Sequence, residues 1–138
     1  MKQNWDHIKL QDIHLVAKEI LQSPESKKIA LYGELGAGKT TFIKELINLL
    51  GFDSIVSSPT FTILNEYNTE SKKIFHFDFY RIKDPKEIYE LGFEEYFYSD
   101  SHVFIEWPEN IGELLPSFFT KLHISVKGTD TRSFVWEI

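Results

Sequence analysis

The sequence predicts an α/β fold whose central sheet is mixed but mostly parallel, flanked by helices and closed by antiparallel C-terminal strands. Apolar or alternating segments typical of strands recur along the chain between segments with helical spacing of apolar residues. One of these strands is joined to the next helix by a glycine-rich loop. A length of 138 residues is typical of one domain, so we expect residues 1–138 to share a core.

The individual elements follow from periodicity and from residues that start or stop helices. Apolar residues at helical spacing predict a first helix over residues 12–22. Asp84, Pro85 and Glu87 form a capping box that opens a later helix, and Gly92 is placed to stop it. The other predicted elements are a strand at 28–32, a helix from the glycine loop to residue 50, strands at 60–67, 72–81 and 101–106, and an antiparallel pair at 122–126 and 133–138 around the turn 127–130.

Residues 33–40 form the most informative motif and read Gly-Glu-Leu-Gly-Ala-Gly-Lys-Thr. They match the template G-x-x-x-x-G-K-[ST], in which backbone N–H groups cradle phosphates. Lys39 supplies a positive charge for the terminal phosphates, and the Thr40 hydroxyl is a ligand for Mg²⁺. A buried strand before the loop and a helix after it favour a P-loop NTPase-like domain over a glycine-rich turn without a ligand. The predicted nucleotide-binding residues of this segment are Glu34, Leu35, Gly36, Ala37, Gly38, Lys39, Thr40 and Thr41.

A second informative segment is His76-Phe77-Asp78-Phe79-Tyr80-Arg81. On a strand, His76, Asp78 and Tyr80 share one face while the phenylalanines share the other. Asp78 is a candidate for holding Mg²⁺ or its water, or for orienting an attacking water. His76 is a candidate donor to that carboxylate or to phosphate, and Arg81 is a candidate for an ion pair or a phosphate contact. An ordinary amphipathic strand with a solvated polar face explains the same pattern.

The predicted strand at 101–106 ends in Glu106 and is followed by Trp107. Phosphate-loop enzymes need a second acidic residue near Mg²⁺ at the end of a strand. Glu106 fits this position, and its long side chain suits a water-mediated contact or a base for water. Trp107 either stands beside the site or packs in the core. Thr60 is a candidate sensor of the terminal phosphate, but its neighbours are common turn residues and locally favour a simple turn.

Composition excludes several functions. The formal charge of −6 argues against a surface that binds nucleic acid or anionic membranes generally. Because the chain has no cysteine, it has no disulfide, thiolate metal site or cysteine nucleophile. We find neither an apolar signal segment nor a run near the ~20 apolar residues of a membrane span, and therefore expect a cytoplasmic protein. The Asn-Lys-x-Asp tetrad that reads guanine is absent, which favours ATP as the nucleotide.

Four segments taken together resemble the bacterial TsaE (YjeE) family. They are residues 33–41, Ser58-Pro59-Thr60-Phe61, the segment 76–81 and Ile105-Glu106-Trp107-Pro108. The first is shared by many ATPases, whereas its combination with H-x-D-x-Y-R and I-E-W-P is specific. The resemblance covers most of the chain in the family's order. It implies a small cytoplasmic ATPase needed to form threonylcarbamoyladenosine (t6A) in tRNA. The implied partner is a TsaB–TsaD heterodimer, and the charge and composition predict no general nucleic-acid binding and no membrane.

By position, the resemblance assigns Thr40 and Glu106 to Mg²⁺ and makes Asp78 the catalytic-site carboxylate, with Lys39 neutralising phosphate charge. The other implied site residues are the switch-like Thr60, Trp107 beside the site, and Arg132 as a C-terminal arginine near the nucleotide. Two further functions stay open. A small-molecule kinase would use the same loop but needs a basic lid, and the acidic segment 87–100 makes a poor one. A non-catalytic module would use ATP only to set its conformation.

Overall fold

The computed structural model describes residues 1–52, 63–68 and 71–138. Within these ranges the chain forms seven β-strands and three α-helices, joined by loops and short 3₁₀ helices. The strands are β1 (Lys2–Lys9), β2 (Lys28–Tyr32), β3 (Leu64–Asn68), β4 (Lys73–Asp78), β5 (His102–Glu106), β6 (Thr120–Val126) and β7 (Thr131–Glu137). The α-helices are α1 (Ile13–Leu21), α2 (Lys39–Leu49) and α3 (Phe93–Phe97).

The strands form one sheet in the order β1-β7-β6-β2-β5-β4-β3. Its four central strands, β6, β2, β5 and β4, run parallel to one another. β3 adds an antiparallel edge on one side, and β7 and β1 add antiparallel strands on the other. The predicted mixed sheet, with a parallel centre and an antiparallel C-terminal pair, is therefore confirmed. The carboxyl ends of β2, β5 and β4 lie side by side, at the edge where open α/β sheets bind ligands.

Both faces of the sheet are covered, as buried parallel strands require. α1 and α2 pack on one face, against side chains that include Ile29 and Leu31 of β2. The segment that contains α3 packs on the other face, against Ala30. Because side chains alternate along a strand, the last residues of β4 and β5, Asp78 and Glu106, lie on the face where α2 begins.

α2 starts within the glycine loop and is amphipathic, as predicted. Gly51 lies just beyond its last turn with φ +102, a left-handed conformation that favours glycine and ends the helix. The buried stripe of α2 consists of Lys39, Phe42, Ile43, Leu46 and Ile47.

β1 is an element that the sequence pattern does not predict. It is an edge strand of the described sheet and pairs with β7. Most of its side chains are exposed, so the apolar signal of a strand is absent. A register shift between Trp5 and Ile8, with His7 at φ +54, breaks the alternation further. α3 also escapes prediction, because five residues are too few to show a helical period.

The strand predicted at 72–81 is wrong at its C-terminal end, because β4 stops at Asp78. Beyond it the Ile82 N–H donates to the Phe79 carbonyl at 3.0 Å, and the Tyr80 N–H donates to Asp78 Oδ1 at 3.0 Å. The chain therefore turns away from the sheet. His76 and Asp78 share a face as predicted, but Tyr80 does not belong to it.

The helix predicted after Asp84 is a 3₁₀ helix over Pro85–Leu91. Its capping box is confirmed, since Asp84 Oδ1 accepts from the Lys86 N–H at 3.0 Å and Glu87 accepts from the Asp84 N–H at 2.9 Å. Gly92 ends it at φ +65. The strand predicted at 60–67 begins at Leu64 among the described residues, and residues 60–62 lie outside them.

We expect Asp84→Ala to lower the free energy of unfolding by about 1 kcal/mol, because an N-cap side chain satisfies a backbone donor that is otherwise left without a partner. Urea denaturation measures the change. Glu90→Ala is the matched control, since Glu90 is an exposed acid in the same helix. Equal stability of the two variants would contradict a stabilising role for the cap.

Candidate functional site

The glycine loop, residues 33–40, connects the end of β2 to the first turn of α2. Gly36 and Gly38 have φ values of +82 and +104, which residues with a side chain rarely adopt. The Ala37 N–H donates to the Glu34 carbonyl at 2.9 Å and closes the loop into a turn. A succession of backbone N–H groups in such a turn makes a concave anion site.

The loop is braced from the C-terminal strands. A Cβ at Gly33 would stand 2.8 Å from the Ile124 carbonyl oxygen of β6, so glycine permits a close approach there. Arg132 of β7 donates from Nε to the Ala37 carbonyl at 2.8 Å and from Nη1 to the Thr131 carbonyl at 3.0 Å. Sequence reasoning places Arg132 near the nucleotide. In the structure Arg132 contacts the loop backbone and lines a cavity beside the loop, and its place near the nucleotide stays a prediction.

Lys39 is buried at the start of α2. Its Nζ donates to the Gly33 carbonyl at 2.6 Å and lies 3.4 Å from the centroid of a Trp107 ring. Burial lowers the pKa of Lys39, while the nearby carboxylates of Glu109, Glu106 and Asp78 oppose that shift. The Lys39 ammonium thus lies against the loop backbone, and the nearby charged groups are carboxylates.

A chain of short hydrogen bonds crosses from α2 to β5 and then to β4. The Thr40 hydroxyl donates to Glu106 Oε1 at 2.6 Å. Glu106 Oε2 lies 2.6 Å from Nε2 of His76. Glu106 is buried and His76 is completely buried, which excludes a solvated polar face at this position of β4. The pair predicted for Mg²⁺, Thr40 and Glu106, is in direct contact.

Asp78 lies beside Glu106, since the two are register partners in the β4–β5 pair. Burial raises the pKa of Asp78, the hydrogen bond from the Tyr80 N–H lowers it, and the charge of Glu106 raises it further. Asp78 is therefore a carboxylate that folding makes more basic.

Trp107 and Tyr80 form the outer wall of the site. Trp107 has φ +57, which turns the chain sharply after β5, and its ring lies 5.0 Å from that of the half-exposed Tyr80. Both line a cleft of about 380 Å³ beside the loop. The other residues that line this cleft are Leu35, Gly36, Gly38, Lys39, Thr40, Thr41, Asp78 and Glu106.

Among the described residues, the predicted site residues that do not line this cleft are Glu34, Ala37, His76, Arg81 and Arg132. Arg81 is exposed and does not line it. Glu34 is also exposed and contributes its carbonyl to the loop turn. Thr60 lies outside the described residues, so its predicted role as a phosphate sensor stays a prediction.

Sequence reasoning missed a second cavity of about 260 Å³ on the other side of the loop. Its wall is mainly apolar and combines distant parts of the chain, which no local motif reveals. It shares Gly36, Gly38 and Thr41 with the cleft, so the two spaces flank the same loop. The remaining residues that line it are Leu10, Ile13, Ala37, Phe42, Ile124, Thr129, Asp130, Arg132 and Phe134.

The family model described as "Threonylcarbamoyl adenosine biosynthesis protein TsaE" matches residues 8–134. The chain belongs to the TsaE family. The resemblance seen in the four sequence segments is thereby confirmed, and it extends from the end of β1 into β7.

Curated relatives named "tRNA threonylcarbamoyladenosine biosynthesis protein TsaE" align with most of the chain. The protein of Haemophilus influenzae is 42% identical over 72% of this chain and 65% of its own length. That of Bacillus subtilis is 42% identical over 78% of this chain and 67% of its own, and that of Rickettsia felis is 41% identical over 85% and 69%. The chain thus spans about two thirds of these TsaE proteins.

The fold of the chain matches a solved structure as well. The crystal structure of Bacillus subtilis YdiB superposes with a TM-score of 0.79 and 31% identity, over 99% of this chain and 84% of that one. Among the described residues, no helix combines the length and the apolar character that crossing a membrane would require.

We expect Asp78→Asn to raise the free energy of unfolding at pH 7. Because the pKa of Asp78 is higher in the folded state, the folded carboxylate is disfavoured above that pKa and the cost vanishes when pH falls below about 4, where both states are protonated. The asparagine Oδ1 still accepts from the Tyr80 N–H.

Urea denaturation at pH 7 and near pH 3.5 measures this effect, with the exposed Asp6→Asn as a control. The stabilisation should be present at pH 7 and absent at the acidic pH. A variant that is less stable than the parent at pH 7 would contradict the assigned cost.

Proposed function

We propose that the chain is a Mg²⁺-dependent ATPase that acts in t6A formation in tRNA, in the cytoplasm and together with a TsaB–TsaD heterodimer. The observation that carries the proposal is the hydrogen bond from Thr40 to Glu106, which sets a hydroxyl and a carboxylate side by side at the start of α2. The names of the TsaE relatives support the biological role. The site geometry supports the chemistry.

The glycine loop fits the phosphates of a nucleotide. Its left-handed glycines expose backbone N–H groups, and α2 begins at Lys39, so the positive end of the helix dipole adjoins the cleft. The Lys39 ammonium now donates to the Gly33 carbonyl. A phosphate oxygen would offer it a charged and therefore stronger acceptor.

The apolar cavity on the other side of the loop suits the nucleobase. Leu10, Ile13, Phe42 and Phe134 supply apolar walls to this cavity of about 260 Å³, and such walls suit the apolar faces of a base. Because this cavity and the cleft share loop residues, one nucleotide can reach both. The absent guanine tetrad favours adenine.

Thr40 and Glu106 would hold Mg²⁺, because both offer oxygen and the ion prefers hard oxygen ligands. Within the described ranges no three His, Asp or Glu side chains gather into a metal site. This fits an ion that takes its other ligands from phosphate and water. When bound, it neutralises the charge that develops on the phosphates during transfer.

We assign the attacking water to Asp78. Both carboxylate oxygens of Glu106 are engaged by Thr40 and His76, whereas Asp78 lines the cleft and accepts a backbone hydrogen bond on Oδ1. Its raised pKa makes it a better proton acceptor. The water oxygen bonds to the terminal phosphorus, the bond to the bridging oxygen breaks, and Asp78 receives the proton, giving ADP and phosphate.

A partner is needed to complete the charge of this site. The chain has two arginines, Arg81 and Arg132. Arg132 donates from its guanidinium to two backbone carbonyls, and Arg81 does not line the cleft. An arginine that reaches the transferring phosphoryl group would then come from the partner, as GTPase-activating partners supply one.

The kinase alternative loses support from the packing of the acidic segment 87–100. Ile88, Phe93 and Phe97 are buried in the core on the far face of the sheet. A lid must open and close over phosphates, and these anchors hold the segment elsewhere. Water is therefore the acceptor that the site favours.

We expect Lys39→Ala to weaken ATP affinity by at least about 10-fold, because it removes a charge-assisted hydrogen bond to phosphate. Isothermal titration calorimetry with ATP and Mg²⁺ measures the affinity. Lys44→Ala is the matched control, since Lys44 is exposed on the same helix. Unchanged affinity in a folded Lys39→Ala protein would refute the phosphate assignment.

We expect ATP hydrolysis to be slow for the chain alone and to rise about 10-fold or more when TsaB–TsaD is added. Asp78→Asn should keep ATP binding and lose the hydrolysis. Release of free phosphate is the measurement. Equal rates with and without the heterodimer contradict partner activation, and a phosphorylated metabolite in place of free phosphate would establish a kinase.

A further inference from the structure

His76 occupies a position in the sheet that would suit an apolar residue. It follows Ile74 on the same face of β4 and pairs in register with Phe104, and all three are 0% exposed. Burying an imidazole costs free energy unless its polar atoms find partners. Among the residues that the structure describes, Nδ1 has no hydrogen-bond partner, so the contact that distinguishes this ring from an apolar side chain is the one made by its other nitrogen.

That other nitrogen, Nε2, lies 2.6 Å from Glu106 Oε2. A carboxylate that serves a cation is ionised and only accepts hydrogen bonds, so in the proposed site Nε2 is the nitrogen that donates. Glu106 Oε1 accepts from Thr40 at the same time. Both oxygens of the carboxylate are therefore hydrogen-bonded, one to Thr40 of α2 and the other to His76 of β4.

These two hydrogen bonds fix the orientation of the Glu106 carboxylate. Rotation of the carboxylate about its last bond would break both hydrogen bonds in a buried place, where each broken bond leaves a polar atom without a partner. A threonine hydroxyl can donate to Glu106 and still offer a lone pair to a cation. His76 supplies the second, fixed end of the arrangement.

We propose that His76 is a positioning residue of the nucleotide site, which acts through Glu106 and sets the affinity for the divalent cation. The inference rests on the proposed function, since it assumes that Glu106 serves Mg²⁺. His76 does not act on phosphate, because it is completely buried and does not line the cleft. Groups that orient a metal ligand in this way typically contribute 10- to 100-fold to metal affinity.

The test compares His76→Gln, His76→Asn and His76→Leu. A glutamine nitrogen reaches roughly the position of Nε2, whereas asparagine is too short and leucine has no donor. ADP affinity is measured by calorimetry in EDTA and across a Mg²⁺ titration, which separates nucleotide binding from cation binding. His102→Leu is the control, since it removes another histidine, at the opposite end of neighbouring β5.

We expect His76→Leu and His76→Asn to raise the Mg²⁺ concentration for half-effect by about 10-fold or more, with ADP affinity in EDTA unchanged. His76→Gln should recover most of the loss, and His102→Leu should show none. In a Glu106→Gln background, His76→Leu should add little to the loss of Mg²⁺ affinity, because residues that act as one unit are not additive.

Several outcomes would overturn the inference. These are a normal Mg²⁺ response in His76→Leu, equal losses in His76→Gln and His76→Asn, and fully additive losses with Glu106→Gln. If His76→Leu does not fold, the Gln and Asn comparison still decides. Failure of the proposed function is distinguishable, because the unmodified protein would then show no Mg²⁺-dependent ADP binding at all.

Discussion

The arrangement of the site depends on one buried carboxylate, that of Glu106. It accepts from Thr40 at the start of α2 and from His76 in β4, so a single side chain joins the helix to two neighbouring parallel strands. The sheet topology makes this possible, because β2 and β4 both pair with β5. The glycine loop leaves β2 on one side of Glu106, and Asp78 ends β4 on the other. If Glu106 were displaced, the hydrogen bonds that join the start of α2 and β4 through this carboxylate would be lost.

Folding disfavours the charged forms of Lys39 and Asp78 near Glu106, and the ligands of the proposed function would favour these charged forms. Burial lowers the pKa of Lys39 and raises that of Asp78, so folding pushes both groups toward their neutral forms. In the proposed complex, a nucleotide phosphate would stabilise the charged ammonium, and a cation would stabilise the charged carboxylates. Ligand binding would thus offset part of the free energy that burial of these charged groups costs in the folded protein. Arg132 contributes differently, since it donates to the loop backbone from outside the cleft.

The parts of this fold that the sequence predicts are those with a local signal. The strand, loop and helix around residues 33–40 are correct because glycine conformation, helix dipole and apolar periodicity agree there. β1 and α3 are not predicted from the sequence, because β1 is an exposed edge strand and α3 has only five residues. The end of β4 is misjudged because Asp78 bonds its own following backbone and turns the chain. The contact of His76 with Glu106 joins residues 30 apart, and no local pattern contains it.

The same distinction explains why the second cavity and the role of Arg132 were beyond local reasoning. Both depend on β6 and β7 returning beside β2, a long-range pairing whose register places Ile124 against Gly33 and Arg132 against Ala37. The close approach at Gly33 leaves no room for a side chain, so the first glycine of the motif serves packing against β6. Gly36 and Gly38 serve backbone conformation instead, since nothing lies within 4 Å of the place where their Cβ would stand. One motif therefore satisfies two separate constraints, packing at Gly33 and backbone conformation at Gly36 and Gly38, and only the conformational one concerns the proposed phosphate contacts.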